Sequence, residues 1–144
     1  MLGRPTGENW QRALHLYEEI GDLVGQARML GNLGFGAFYD GFWDDALGYF
    51  SRSREIAEHT GSIASAAING INVAEILCER GQFEEAEAEL RAVMRVMRAS
   101  EYRYFLGGCL EYLGRVFART GRFDEALARF EEARATYVSL GAHE

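Results

Sequence analysis

Gly41-Phe42-Trp43-Asp44-Asp45-Ala46 returns as Gly81-Gln82-Phe83-Glu84-Glu85-Ala86 and again as Gly121-Arg122-Phe123-Asp124-Glu125-Ala126, with a spacing of 40 residues both times. Downstream, Phe50, Leu90 and Phe130 keep the register; upstream, Leu33-Gly34, Val73-Ala74 and Leu113-Gly114 keep it too. Trp10 lies 40 residues before Phe50, and Gly21 lies 40 before Gly61. A fixed period of this length marks stacked supersecondary units, none of which can bury its apolar face alone.

Each unit divides into two helices. Apolar residues recur at spacings of three and four, as in Leu110, Leu113 and Phe117, and in Phe123, Ala126, Phe130 and Ala133. Gly41, Gly81 and Gly121 stand where a first helix must stop, and Gly61 and Gly141 close second helices. Asp44-Asp45, Glu84-Glu85 and Asp124-Glu125 suit the positive end of a new helix dipole. The pattern predicts first helices over 23–40, 63–80 and 102–120, and second helices over 43–60, 83–99 and 123–140. Connections this short force antiparallel neighbours. The expected fold is all-α, about seven antiparallel helices arranged as αα-hairpins in a superhelix, with helix content above about 70% against a one-third base rate. The chain reads as a single domain over 1–144: a half repeat over 1–22, then repeats over 23–61, 62–101 and 102–141. Phe130 is expected in the core, where truncation to alanine costs roughly 3–5 kcal/mol, with Glu131 on the solvent face.

Composition narrows the function. Of the residues 48% are hydrophobic and 26% charged, which is globular rather than disordered. The net charge of −7 and the lack of a basic block disfavour nucleic acid, whose phosphates need clustered cations. All 15 basic residues are arginine, which reads as codon bias in a GC-rich, bacterial genome. No apolar run approaches the roughly 18 residues that span a bilayer, and Met1-Leu2-Gly3-Arg4-Pro5 has no apolar signal core. A cytoplasmic location is expected, with Cys78 and Cys109 as unpaired, buried thiols.

The pattern resembles the tetratricopeptide repeat (TPR) family. The third repeat carries it best, in Leu110, Leu113, Gly114, Phe117, Gly121, Phe123, Ala126, Phe130 and Ala133. In the first, Ala37 replaces the aromatic and Ser53 the second alanine; the middle repeat, with Gly70, Val73, Ala74, Leu77 and Leu90, is degenerate. The family's usual period is 34 residues, so each helix here is about three residues longer. The closing proline is missing. Long repeats of this kind look like those of bacterial signalling proteins, where such arrays adjoin a cyclase, an ATPase module or a DNA-binding domain.

Catalytic chemistry needs converging groups. His15, His59 and His143 read as solvated or capping residues, and no His-Glu-x-x-His or Cys-x-x-Cys spacing occurs. Gly31-Asn32-Leu33-Gly34-Phe35-Gly36 falls mid-helix without a preceding strand or a following lysine, so it reads as helix packing rather than a phosphate loop. The sequence therefore implies no catalytic residue, no metal site, no cofactor and no enzyme.

What remains is a surface. The resemblance implies a concave groove lined by first helices, at Arg28, Asn32, Phe35 and Tyr39, then Ile68, Ile71, Asn72, Glu75 and Glu79, then Glu111, Tyr112, Arg115 and Arg119. Asn32 and Asn72 share one repeat position, where an asparagine either clamps an extended peptide backbone or satisfies neighbouring helix groups. The family's carboxylate clamp is not evident, since lysine is absent. The aromatic set Phe35, Phe38, Tyr39, Phe42 and Trp43 offers a partner anchor as well as core packing. The expected function is a protein-interaction module that binds a peptide or partner protein, as a fragment of a larger bacterial regulatory protein. The alternative is a self-associating structural spacer. Terminal helices of an array expose the face a neighbour would cover, so a homodimer is expected through Trp10, Ala13, Leu14 and Tyr17 or through Ala126, Phe130, Ala133 and Tyr137.

Overall fold

The computed structural model describes residues 5–100 and 102–141, with side chains from Gly7 onward. Seven helices follow one another: α1 (Pro5–Ile20), α2 (Leu23–Tyr39), α3 (Trp43–Thr60), α4 (Ile63–Glu79), α5 (Phe83–Ala99), α6 (Leu106–Arg119) and α7 (Phe123–Ser139). No strand occurs among the described residues. They fall into two compact units, Met1–Ile76 and Leu77–Glu144.

One turn is reused throughout. Gly21, Gly41, Gly61, Gly81, Gly121 and Gly141 all have φ between 73° and 82°, the left-handed conformation that glycine adopts without a Cβ clash. After Gly21 the Asp22 N–H donates to the Tyr17 carbonyl at 2.9 Å, and after Gly41 the Phe42 N–H donates to the Ala37 carbonyl at 2.8 Å. One non-helical residue then starts the next helix. Asp22 accepts from the Gly25 N–H at 2.9 Å in the usual capping manner. Phe42, Gln82 and Arg122 make no side-chain cap; there the first-turn carboxylates take over. Arg122 grips Glu125 with two N–H···O bonds of 2.9 and 2.7 Å.

The cadence breaks once. Position 101 is Glu101, not glycine, and the sixth helix starts at Leu106 rather than at the expected 102. α5 ends at Ala99. The Ser100 hydroxyl donates back to the Val96 carbonyl at 2.8 Å. Tyr102, Tyr104 and Phe105 then pack ring on ring, with centroid distances of 6.4 and 4.8 Å to Phe105.

Packing follows a glycine-and-ring rule. Gly34 of α2 lies under the Phe50 ring of α3, and Gly114 of α6 under the Phe130 ring of α7. Tyr17 packs on Gly25, and Tyr137 on Gly107, in the same way. In the first unit Leu14, Leu30 and Leu33 form the centre, with Trp10, Met29, Tyr49 and Ile56 against them. In the second unit Met97, Leu106, Cys109, Leu110, Leu113 and Phe117 are fully buried. Arg122 lies 4.1 Å and Arg91 5.9 Å from the Phe117 ring centre. Between them Glu87 accepts from both guanidinium groups, at 2.8 Å from Arg91 and 2.9 Å from Arg122. Partial burial works to raise its carboxyl pKa, but the two arginines outweigh this and hold it below the ordinary value.

Some sequence expectations need correction. Phe130 is not a buried core aromatic: it is 39% exposed, whereas its register mate Phe50 is 1% exposed. Phe123 is exposed as well. At the other end, Leu14 is buried and Trp10, Ala13 and Tyr17 are half-buried, because Tyr17 packs on α2 at Gly25 and Trp10 stands 3.5 Å from a Cβ built on Gly36. That strip of α1 is therefore partly covered by α2. His143 lies outside the described residues, while His15 is exposed and pairs with Glu19 at 3.2 Å.

Both thiols are free and buried. Burial pushes the Cys109 thiol pKa up to about 12, so its reactive thiolate is scarce at neutral pH. Native protein should react slowly at both sites with a maleimide, and quickly in denaturant. Rapid native labelling of both would contradict the packing.

Candidate functional site

The first unit carries an open cleft of about 300 Å³ between α2, α3 and α4. Its floor is made by second-helix residues Ser53 and Ala57, and its rim carries Thr60, Ser62 and Ser65. From α2 come Val24, Ala27, Arg28, Gly31 and Phe35; from α4 come Ile68, Asn69 and Asn72.

Three helices are tied together under the cleft by a buried polar chain. The Ser53 hydroxyl donates to the Ala27 carbonyl at 2.9 Å. Asn69 donates to Ser53 Oγ at 3.0 Å and to the Ser65 carbonyl at 2.9 Å. Both side chains are buried and both are satisfied, as buried polar groups must be. The rim hydroxyls are partly committed. Thr60 donates to the Ile56 carbonyl at 3.0 Å, and Ser62 accepts from the Ser65 N–H at 3.4 Å.

Asn72 differs. Its Nδ2 is buried and has no acceptor among the described residues. It stands one helical turn beyond Ile68 on the cleft wall. Phe35 lines the same cleft from α2, held edge-on to Phe50 at a centroid distance of 5.2 Å. Val24, Phe35 and Ile68 are all exposed. The cleft thus presents apolar walls, one cation at Arg28 and one amide donor in need of an acceptor.

Of the groove residues read from the sequence, Arg28, Phe35, Ile68 and Asn72 line this cleft. Asn32 and Tyr39 do not; Tyr39 is exposed, with its ring 5.7 Å from Phe38. Glu75 is half-buried on α4 and outside the cleft lining. Glu79, Glu111, Arg115 and Arg119 belong to the second unit. There Arg119 is engaged by Glu79 at 3.7 Å, by the Cys78 carbonyl at 3.3 Å and by the Phe83 ring at 5.2 Å. Arg115 lies over Tyr112 at 5.0 Å. Burial and the neighbouring Glu111 raise the Tyr137 phenol above its ordinary pKa.

Sequence reasoning missed Ser53 and Asn69 as the cleft's scaffold. The signal was there in Ser53, a hydroxyl where the repeat calls for alanine. A polar atom at a core position needs a buried partner, and Asn69 is 16 residues on. No group of three or more histidine, cysteine, aspartate or glutamate side chains that could hold a metal occurs among the described residues. Nor is any described helix long and apolar enough to cross a membrane.

Hairpins joined by one reused glycine turn, with an open cleft between first helices, define a helical-repeat scaffold. Residues 62–137 match the profile of the tetratricopeptide repeat; this is more than half of the chain, which belongs to that family. The chain is similar to the regulatory protein RapG of Bacillus subtilis (strain 168), with 34% identity over 80 residues, 56% of this chain and 21% of RapG. Its fold is similar to that of the apo form of RapI, with a TM-score of 0.82 and 21% identity over 94% of this chain and 50% of RapI. It is also similar to BtubC (BKLC) from P. vanneervenii, with a TM-score of 0.81 and 17% identity over 95% of this chain and 57% of that one. The chain spans about a fifth of RapG and about half of the two solved chains.

Proposed function

We propose that this chain is a protein-interaction module that binds an extended segment of a partner protein in the α2–α4 cleft. Its role is binding rather than catalysis, within a larger cytoplasmic regulatory protein of a bacterium. The observation that carries the reading is the Asn72 amide, buried without an acceptor at the wall of an otherwise apolar cleft. A buried donor left unpaired costs about 1–3 kcal/mol, and a peptide carbonyl laid along α4 would relieve it. Val24, Phe35 and Ile68 would take an apolar side chain, and Arg28 an acidic group. The family membership and the similarity to RapG support a regulatory setting.

The test begins with a partner captured on the immobilised chain from a lysate of the source organism. Asn72→Ala should weaken its affinity about two- to tenfold, the worth of one hydrogen bond, and leave the urea midpoint of the free chain no lower, since the unpaired donor is removed with the side chain. An unchanged affinity would move binding away from the cleft. The second reading, a self-associating spacer, draws on a separate observation: large apolar side chains exposed along α7.

A further inference from the structure

We infer that one flank of α7 is a docking surface for a second copy of this chain, paired antiparallel across a two-fold axis. Phe123 is 70% exposed, Leu127 58%, Phe130 39% and Val138 62%. At about 100° per residue these four fall within an arc of roughly 80°. Ala126 and Ala133 are buried, and Tyr137 is seated on Gly107 of α6. Phe130 therefore marks the edge of the flank, one side of its ring on Gly114 of α6, while Phe123, Leu127 and Val138 lie beyond the face turned towards α6. Together the four side chains expose a few hundred Å², roughly the size of patch that marks an association site.

The charges choose the occupant. Glu125 is held by Arg122, and Arg129 by Glu132 at 3.5 Å. Asp124, Glu131 and Arg134, which border or interrupt the strip, have no ion partner among the described residues. The strip runs from Phe123 to Val138, so its midpoint lies between Phe130 and Glu131. A two-fold axis there sets Phe123 against Val138 of the other copy, and Leu127 against the aliphatic stem of Arg134. At 1.5 Å rise per residue, the Arg134 Cα then lies about 4.5 Å along the axis from Asp124 of the other copy, and about 6 Å from its Glu131. Both are within reach of an arginine side chain, and symmetry makes each pair twice. A parallel pairing would stack Arg134 on Arg134 and Asp124 on Asp124. The antiparallel pair uses the same patch on both copies, so it closes as a dimer. One helix pair is a small interface, so association should be weak, in the micromolar range.

Sedimentation equilibrium of the 144-residue chain over a hundredfold concentration range tests this. The expected result is a rise to twice the monomer mass. Leu127→Glu should weaken the dimer at least about tenfold; because Leu127 is exposed, an unchanged circular dichroism spectrum will show that the fold is intact. Arg134→Asp should weaken it too, and Asp124→Arg combined with Arg134→Asp should recover part of the loss, the Glu131 pair and the arginine stem staying lost. A monomer at every concentration would overturn the inference and leave the flank to a further helical repeat or another protein. A dimer indifferent to Leu127→Glu would place association on a different face and overturn it as well. A loss with Arg134→Asp of which the double variant recovers nothing would overturn the antiparallel pairing.

Discussion

Phe50→Ala should cost the first unit roughly 3–5 kcal/mol, the loss typical of a fully buried aromatic. The ring is 1% exposed, covers Gly34 and meets the edge of Phe35. Removing it strips contacts from α2 and α3 together and leaves a hole that α2 can only partly fill, because Leu30 and Leu33 are committed to the core around Leu14. The readout is built into the sequence. The chain has two tryptophans, Trp10 and Trp43, and both lie in the Met1–Ile76 unit. Tryptophan fluorescence in urea therefore follows the unit that Phe50 stabilises. Phe130→Ala, at the same repeat position but half-exposed, should cost only about 1–2 kcal/mol when followed by circular dichroism. Equal losses would mean that exposure does not set the energetics here.

That contrast shows where the sequence stops being legible. Periodicity placed the helices to within a residue or two wherever a glycine marked the turn, because the left-handed conformation leaves little choice of stopping point. It failed at residues 102–105, where the chain runs on through Tyr102, Tyr104 and Phe105 before α6 begins. Repeat register told which position packs inward within a hairpin, as at Phe50. It does not tell how far each such position is covered on its outer side, and Phe130 and Phe123 are exposed. The cleft was half legible. Arg28, Phe35, Ile68 and Asn72 followed from the family's groove positions. Their convergence depends on Ser53 and Asn69, a contact between helices that no periodicity encodes. Asn32 shows the limit of register: it has the repeat position of Asn72 yet does not line the cleft.

Gly34→Ala should destabilise the first unit by about 1–2 kcal/mol, although alanine is the better helix former. A Cβ on Gly34 would stand 2.6 Å from Phe50 Cε1, 2.7 Å from Cδ1 and 2.9 Å from Cζ, closer than carbon atoms approach in packed proteins. The ring cannot move aside, since it is buried and braced by Phe35. Overpacking of this kind costs about 1–3 kcal/mol, against a propensity gain of at most about 1 kcal/mol. Gly48→Ala in α3 is the control. Nothing lies within 4 Å of a Cβ there and its φ is ordinary, so the propensity gain stands alone and the variant should be stabilised by about 0.5–1 kcal/mol. The two substitutions are chemically identical and should differ in sign. The middle repeat suggests the rescue. At the two positions held by Gly34 and Phe50 it carries Ala74 and Leu90, a methyl group in place of the glycine hydrogen and a smaller side chain in place of the ring. Gly34→Ala combined with Phe50→Leu should therefore lose less than the sum of the two single losses, with a coupling of about 0.5–3 kcal/mol. Fluorescence melts of the four variants in urea decide it. Additive losses, or a stabilising Gly34→Ala, would show that the ring does not sit on the glycine.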